Sequence, residues 1–186
     1  DGILYVSTSY DGGLHVINTK NTNTPQDDEL IMVYDSSSTP AISPDHAYHS
    51  EVWGDFIYIA GRYNFPVIDT RGTSDPSDDI VVTDYSHVIE NIDNQLVYSF
   101  NRQDNLMYVS TWGGFFVVDT KGTPDPLDDS LAYSYPCNTD IPLLSCGAYH
   151  SFVDADTNLL YVSTFEGLSV IDTNGTATSS DDVLFM

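Results

Sequence analysis

Short apolar runs recur along the chain, set apart by loops rich in Thr, Asn, Asp, Pro and Gly. The clearest copy begins Leu106-Met-Tyr-Val-Ser-Thr111, breaks at Trp-Gly-Gly, continues as Phe115-Phe-Val-Val-Asp119, and passes through Thr-Lys-Gly-Thr-Pro-Asp-Pro-Leu to Asp128-Asp129. Two runs joined by so short a Gly-bearing connection predict a β-hairpin, and Ile3–Thr8 with Leu14–Asn18 is another copy of it. Apolar residues stand on successive positions of these runs, as in Leu4-Tyr5-Val6 and Val16-Ile17, which predicts strands buried on both faces. A third run, Glu29–Tyr34, places Leu30, Met32 and Tyr34 on one face. Its more polar counterpart, Thr83-Asp84-Tyr85, suits an outer edge strand. His46–Trp53 is the fourth run. No segment carries a sustained 3.6-residue period, so the chain reads as all-β.

The pattern repeats four times. Tyr5, Tyr58, Tyr108 and Tyr161 mark one register at spacings of 53, 50 and 53 residues, and Asn18, Asp69, Asp119 and Asp172 mark another. From the threonine after each of these to the second Asp of the following Asp-Asp pair is always nine residues. Four antiparallel strands in about 50 residues is the size of a β-propeller blade, whereas parallel solenoids use shorter repeats. The predicted architecture is therefore a β-propeller of four-stranded repeats covering 3–55, 56–105, 106–158 and 159–186. In strand order these are A (the Tyr-His-Ser run, innermost), B (Tyr-Val-Ser-Thr), C (Val-Ile-Asp-Thr) and D (after Asp-Asp). The first unit has no strand A and the last stops inside strand D, so the chain reads as an excerpt of a longer array.

The string Tyr161-Val-Ser-Thr, then Gly167-Leu-Ser-Val-Ile-Asp-Thr173, resembles the LVIVD-type propeller repeats of bacterial and archaeal cell-surface proteins. Those carry Tyr-Val-Ala, then Gly-Leu-x-Val-Ile-Asp, then a Ser-Asp-Pro turn. Here Asp75-Pro76 and Asp125-Pro126 fall later, in a longer loop, and the period is longer. The resemblance covers the B–C hairpin of each unit. It implies a secreted or surface-exposed, non-catalytic propeller and carries over no catalytic residues. The Gly-His and Trp-Asp marks of the tryptophan–aspartate repeats are missing.

Charge narrows the partners. Among 186 residues, 28 are acidic and 5 are Lys or Arg, for a net charge of −23. Such a surface repels phosphate backbones and anionic lipid, which argues against nucleic acid and membrane surfaces as partners. No apolar run reaches the roughly 20 residues that span a bilayer. Cys137 and Cys146 fall in one loop whose counterpart in the first repeat has none. They predict a local disulfide and hence an oxidising, extracytoplasmic setting.

The C–D loops hold the most chemical-looking residues: Asp69, Asp75, Asp78 and Asp79, then Asp119, Asp125, Asp128 and Asp129, then Asp172, Asp181 and Asp182. Clustered carboxylates with loop carbonyls could supply the six to eight oxygens calcium takes, making it the candidate cofactor. The spacing is not that of an EF-hand. The alternative is that these groups close their own turns through Asx hydrogen bonds. His49 and His150, in Tyr-His-Ser, could line a channel, but the middle copy has Ser99 there. Trp112 stands in a hairpin turn where the other copies have Ser9, Arg62 and Phe165, and is the best candidate for an exposed ligand contact. No Gly-x-Ser-x-Gly elbow, phosphate loop or His-Glu-x-x-His is present. Repeat two departs most from the pattern, at Arg62, Pro66, Ser99 and Arg102, and these form no recognisable triad. The expected function is a non-enzymatic extracellular module that contacts a protein or surface polymer, or assembles with itself. A carbohydrate-binding repeat lectin is the alternative, and part of a propeller enzyme a more distant one.

Overall fold

The computed structural model describes residues 2–10, 12–42, 46–90, 92, 95–136, 146–176 and 182–185. These form four antiparallel sheets. The first has three strands, β1 (Ile3–Ser7), β2 (Leu14–Asn18) and β3 (Glu29–Tyr34), in that order. The second is β4 (Ala47–Trp53), β5 (Phe56–Gly61), β6 (Pro66–Asp69) and β7 (Ile80–Asp84). The third is β8 (Val97–Gln103), β9 (Leu106–Thr111), β10 (Gly114–Asp119) and β11 (Ser130–Pro136). The fourth is β12 (Ala148–Asp154), β13 (Leu159–Thr164), β14 (Gly167–Asp172) and β15 (Val183–Leu184). Each sheet is an up-and-down meander with its last strand at one edge. Among the described residues helix is confined to single 3-10 turns; Pro25–Asp27 and Pro76–Asp78 are opened by a proline whose missing N–H costs nothing there, and Tyr85–His87 is not.

Successive residues of the hairpins face different neighbours, which is why both sets are apolar. Ile57, Ile59 and Ile68 of the second sheet pack with Leu14, Val16 and Tyr34 of the first. On the opposite face, Tyr58, Phe65, Val67 and Tyr85 pack with Met107, Val109, Phe116 and Val118 of the third. The third sheet repeats the scheme with Tyr108, Phe115 and Tyr135 against Leu160, Val162 and Ile171 of the fourth. The core is thus three slabs between consecutive sheets. Burying these side chains, at roughly 1.5–3 kcal/mol each, is what orders the array.

The first strands of the sheets lie side by side. Ser99 Oγ on β8 donates to the Tyr149 carbonyl of β12 at 3.0 Å, and Asn101 Nδ2 donates to the Ser151 carbonyl at 2.8 Å. Ser7 Oγ on β1 donates to Ser50 Oγ on β4 at 2.9 Å. Each of β4, β8 and β12 carries a bulge against its hairpin partner, between Ala47 and His49, Val97 and Ser99, and Ala148 and His150. The skipped residue is Tyr48, Tyr98 or Tyr149. A bulge re-aims a side chain, so the Tyr–His alternation that an unbroken strand would impose does not hold at these tyrosines.

The meander gives the molecule two chemically distinct ends. One gathers the β1–β2, β5–β6, β9–β10 and β13–β14 turns with the starts of β4, β8 and β12. The other gathers the acidic loops that lead into β3, β7 and β11.

Candidate functional site

At the acidic end the loops are closed by their own side chains. Asn18, Asp69, Asp119 and Asp172 each accept, through Oδ1, the backbone N–H two residues on, at 2.9, 2.7, 2.9 and 2.8 Å. That residue has positive φ in every copy: Lys20 at 52°, Arg71 at 52°, Lys121 at 53° and Asn174 at 49°. The position after it is left-handed as well, and glycine fills it in three copies (Gly72, Gly122, Gly175) because it has no Cβ to clash. Asp75 and Asp125 accept from Ser77 N and Leu127 N, both at 3.0 Å. The first Asp of each of the first three pairs takes a threonine hydroxyl of its own loop: Thr22 to Asp27, Thr73 to Asp78 and Thr123 to Asp128, at 2.8, 2.9 and 3.0 Å.

The second Asp does something sequence reasoning missed. Tyr34 OH donates to Asp79, Tyr85 OH to Asp129, and Tyr135 OH to Asp182. Each bond joins the last strand of one sheet, or for Tyr85 the 3-10 turn that directly follows it, to the loop of the next, so it is a latch between consecutive sheets. A signal was present, because Tyr34, Tyr85 and Tyr135 each stand six residues after the second Asp of their own unit. Asp79 and Asp129 are 7% and 8% exposed, whereas Asp28, at the same position of the first sheet, is exposed. Burial pushes the Asp129 carboxyl up to about 6, against the pull of the Tyr85 hydrogen bond, and moves Asp79 in the same direction.

No three His, Cys, Asp or Glu side chains converge to hold a metal among the described residues. Asp181 lies outside them, as does Cys137, and with it the disulfide predicted to Cys146. Because the loop carboxylates are engaged in turns and latches, the melting temperature is expected to be the same in millimolar calcium and in EDTA. A rise of several degrees in calcium, read by scanning calorimetry, would show that those loops bind it.

His49 and His150 lie near enough to influence one another. The His49 ring meets the edge of Phe100, with centroids 4.8 Å apart. Burial, and secondly His150, hold its pKa below the usual imidazole range. Two of the irregular residues of repeat two, Pro66 and Arg102, serve the fold. Pro66 opens β6, a position where a strand tolerates proline, and the Arg102 guanidinium is sandwiched 4.1 Å from both the Trp53 and Tyr58 rings.

The other end carries the surface that chemistry can use. Rings follow one another from the first sheet to the fourth and back to the third: Tyr10, His46, Tyr48, Tyr98, Tyr149, Phe165 and Trp112. The successive centroids are 5.9, 6.2, 5.7, 4.9, 4.8 and 5.1 Å apart. The three bulges turn Tyr48, Tyr98 and Tyr149 into this row, and the hairpin turns supply its flanks. Tyr10 is 88% exposed, Trp112 51%, Phe165 53% and Tyr63 43%. Between the first two sheets the row borders a hollow of about 380 Å³ formed by Tyr10, His46, Tyr48, Arg62 and Tyr63. There Arg62 lies 4.9 Å over the Tyr63 ring and donates to its hydroxyl at 3.2 Å. Trp112, singled out from sequence, sits at one end of the row; Tyr10 and Tyr63 were not singled out.

With this geometry in hand, the chain can be set beside known proteins. No family model and no curated protein matches it. Among solved structures, it is similar to PorZ, an essential bacterial surface component of the type-IX secretion system of Porphyromonas gingivalis, at 18% identity and a TM-score of 0.61. That match covers 94% of this chain but 24% of PorZ, so the chain spans about a quarter of that protein's length. A plant lectin from Cicer arietinum with two metal-binding sites matches at 13% identity and a TM-score of 0.46, over 99% of this chain and 88% of the lectin. The extracellular domain of a hybrid two-component system from B. thetaiotaomicron matches at 13% and 0.46, over 91% of this chain and 25% of that one. The likeness to PorZ concerns the fold alone. No helix among the described residues is long and apolar enough to cross a membrane.

Proposed function

We propose that the chain is a non-enzymatic, extracellular segment of a propeller-type repeat, and that it holds a protein or surface-polymer partner at its hairpin end. One observation carries the reading: every sheet contributes to a continuous row of aromatic rings, exposed at Tyr10, Tyr149, Phe165 and Trp112 and half-buried at His46, Tyr48 and Tyr98. Exposed aromatics placed by rigid strands are the commonest anchors of binding surfaces. The radial part of the reading is supported by the side-by-side first strands β4, β8 and β12 and by the latch that recurs between consecutive sheets. A small sheet displacement repeated from unit to unit is how blades gather about an axis. The extracellular part is supported by the acidic composition and by the fold shared with a bacterial surface component.

The test uses the whole chain immobilised and exposed to extracellular protein and surface-polymer fractions. Captured material should be lost on Trp112→Ala or Phe165→Ala and retained on Asp75→Asn or Asp125→Asn at the far end. Steady release of a chemically altered product from any fraction would show an enzyme instead.

A further inference from the structure

Tyr10 and Tyr63 occupy matching places in neighbouring hairpin turns, and both have left-handed backbones, with φ of 60° and 68°. The third sheet has Gly113 at that place. A bulky aromatic residue held at positive φ is strained, and such strain persists only where something compensates for it. Packing compensates little at Tyr10, which is almost wholly exposed, and at Tyr63, nearly half exposed, the ring meets the Arg62 guanidinium. The two rings flank the hollow with the Arg62 guanidinium at its wall. His46 Nδ1 accepts the Tyr10 backbone N–H at 2.8 Å, which places the neutral ring's proton on Nε2, a free donor nitrogen in the tautomer so fixed.

The backbone around the hollow is already committed. Tyr63 N donates to the Gln95 carbonyl at 2.8 Å, Arg62 N to the His46 carbonyl at 3.3 Å, and Ala47 N to the Thr8 carbonyl at 3.0 Å. Trp112 N donates to the Leu96 carbonyl at 2.9 Å. An extended peptide that binds by strand addition would find little free ladder here. What remains is ring faces and edges, phenolic hydroxyls, an imidazole N–H and a guanidinium. That set suits a ligand with weakly polarised C–H faces and many hydroxyls. Pyranose C–H groups carry slight positive charge and meet the negative face of an aromatic ring, while sugar hydroxyls both donate and accept. A net charge of −23 disfavours anionic sugars and nucleic acids, and Arg62 disfavours cationic ones at the hollow.

Building on the proposed binding role of this end, we infer that the aromatic row is a binding site for a neutral polysaccharide. One sugar sits in the hollow between Tyr10 and Tyr63, and the chain continues over Tyr48, Tyr98 and Tyr149 toward Phe165 and Trp112. The row crosses all four sheets, so affinity rises with the length of the oligosaccharide until the row is filled.

The experiment presents the intact chain to an array of neutral oligosaccharides of graded length and takes the tightest one to titration calorimetry. Affinity should rise with length, and Trp112→Ala or Tyr10→Ala should each weaken it about tenfold or more, which is about 1.4 kcal/mol. The decisive variant is Tyr63→Gly. Glycine relieves the left-handed strain, so the melting temperature should hold or rise while sugar affinity falls. A purely structural role for Tyr63 predicts a lower melting temperature and unchanged binding. Failure of every neutral oligosaccharide, or binding indifferent to Trp112 and Tyr63, overturns the inference. Capture of a protein partner that is lost in the same variants overturns it too, yet leaves the binding role of this end standing. Loss of neither sugar nor protein capture in those variants would refute both.

Discussion

Phe65→Ala is expected to lower the unfolding free energy by about 3–5 kcal/mol, and Leu168→Ala by less than about 1 kcal/mol. The two residues occupy the same repeat position, two before Val67 and Val170. They differ in what covers them. Phe65 is 0% exposed and is stacked 4.7 Å from Tyr85 and 4.9 Å from Phe100, whereas Leu168 on the fourth sheet is 50% exposed. A truncated Phe65 leaves a void walled by aromatic rings that the stiff sheets cannot fill, so the lost transfer energy and the cavity add. A truncated Leu168 loses only partial contact with its own sheet. Denaturant unfolding at neutral pH, with the slope checked for two-state behaviour, reads both values. Equal costs at the two positions would mean that consecutive sheets do not pack in the observed order, and the account of the core would fail with it.

The same contrast shows what a sequence can display and what it cannot. Strand positions were legible because the hairpin runs are apolar on both faces and the turns are punctuated by Gly, Asp and Pro. Leu14–Asn18 and Glu29–Tyr34 are strands with the limits their patterns suggest. The fate of Leu168 was not legible, because its pattern is that of Phe115 and only the order of sheets in space separates them. The bulges at Tyr48, Tyr98 and Tyr149 were hidden for a related reason: strict alternation has no mark for one skipped residue. The Asp-Asp pairs drew attention as a metal-like cluster because carboxylates were counted within each loop. Their second member looks instead to a tyrosine 44 to 47 residues earlier, a distance at which loop composition is silent. Trp112 was recognisable because a large aromatic residue in a hairpin turn has little core to reach, whereas Tyr10 and Tyr63 became notable only once their backbone angles were known.

Tyr85→Phe is expected to destabilise the native state by about 2–4 kcal/mol at pH 7, more than at pH 4.5. The Tyr85 hydroxyl is buried and donates to Asp129 Oδ2, while Asp129 Oδ1 is buried and accepts no hydrogen bond among the described residues. Removing the donor leaves a buried carboxylate without its hydroxyl partner, with the Arg102 and His87 charges alone favouring it, and that desolvation, more than the lost bond, sets the size of the effect. Protonating the carboxyl removes the charge and with it most of the penalty. The native protein should itself respond to acid in the opposite sense from most acidic proteins. Its Asp129 carboxyl titrates at about 6, against about 3.9 in an unfolded chain. The folded state therefore holds the proton more tightly, and the resulting stability is complete below about pH 4 and lost as pH rises through about 6. After allowance for solvent screening this amounts to about 1–2 kcal/mol, with Asp79 adding in the same direction. Relief of a −23 charge works the same way, so acid alone does not isolate the latch. Asp129→Asn does: it keeps an acceptor for Tyr85 but cannot titrate, and its stability should rise less between pH 7 and pH 5 than that of the unaltered chain. Parallel pH profiles for the two proteins, measured by urea unfolding, would mean that Asp129 is solvated and that the tyrosine latch does not hold the sheets together.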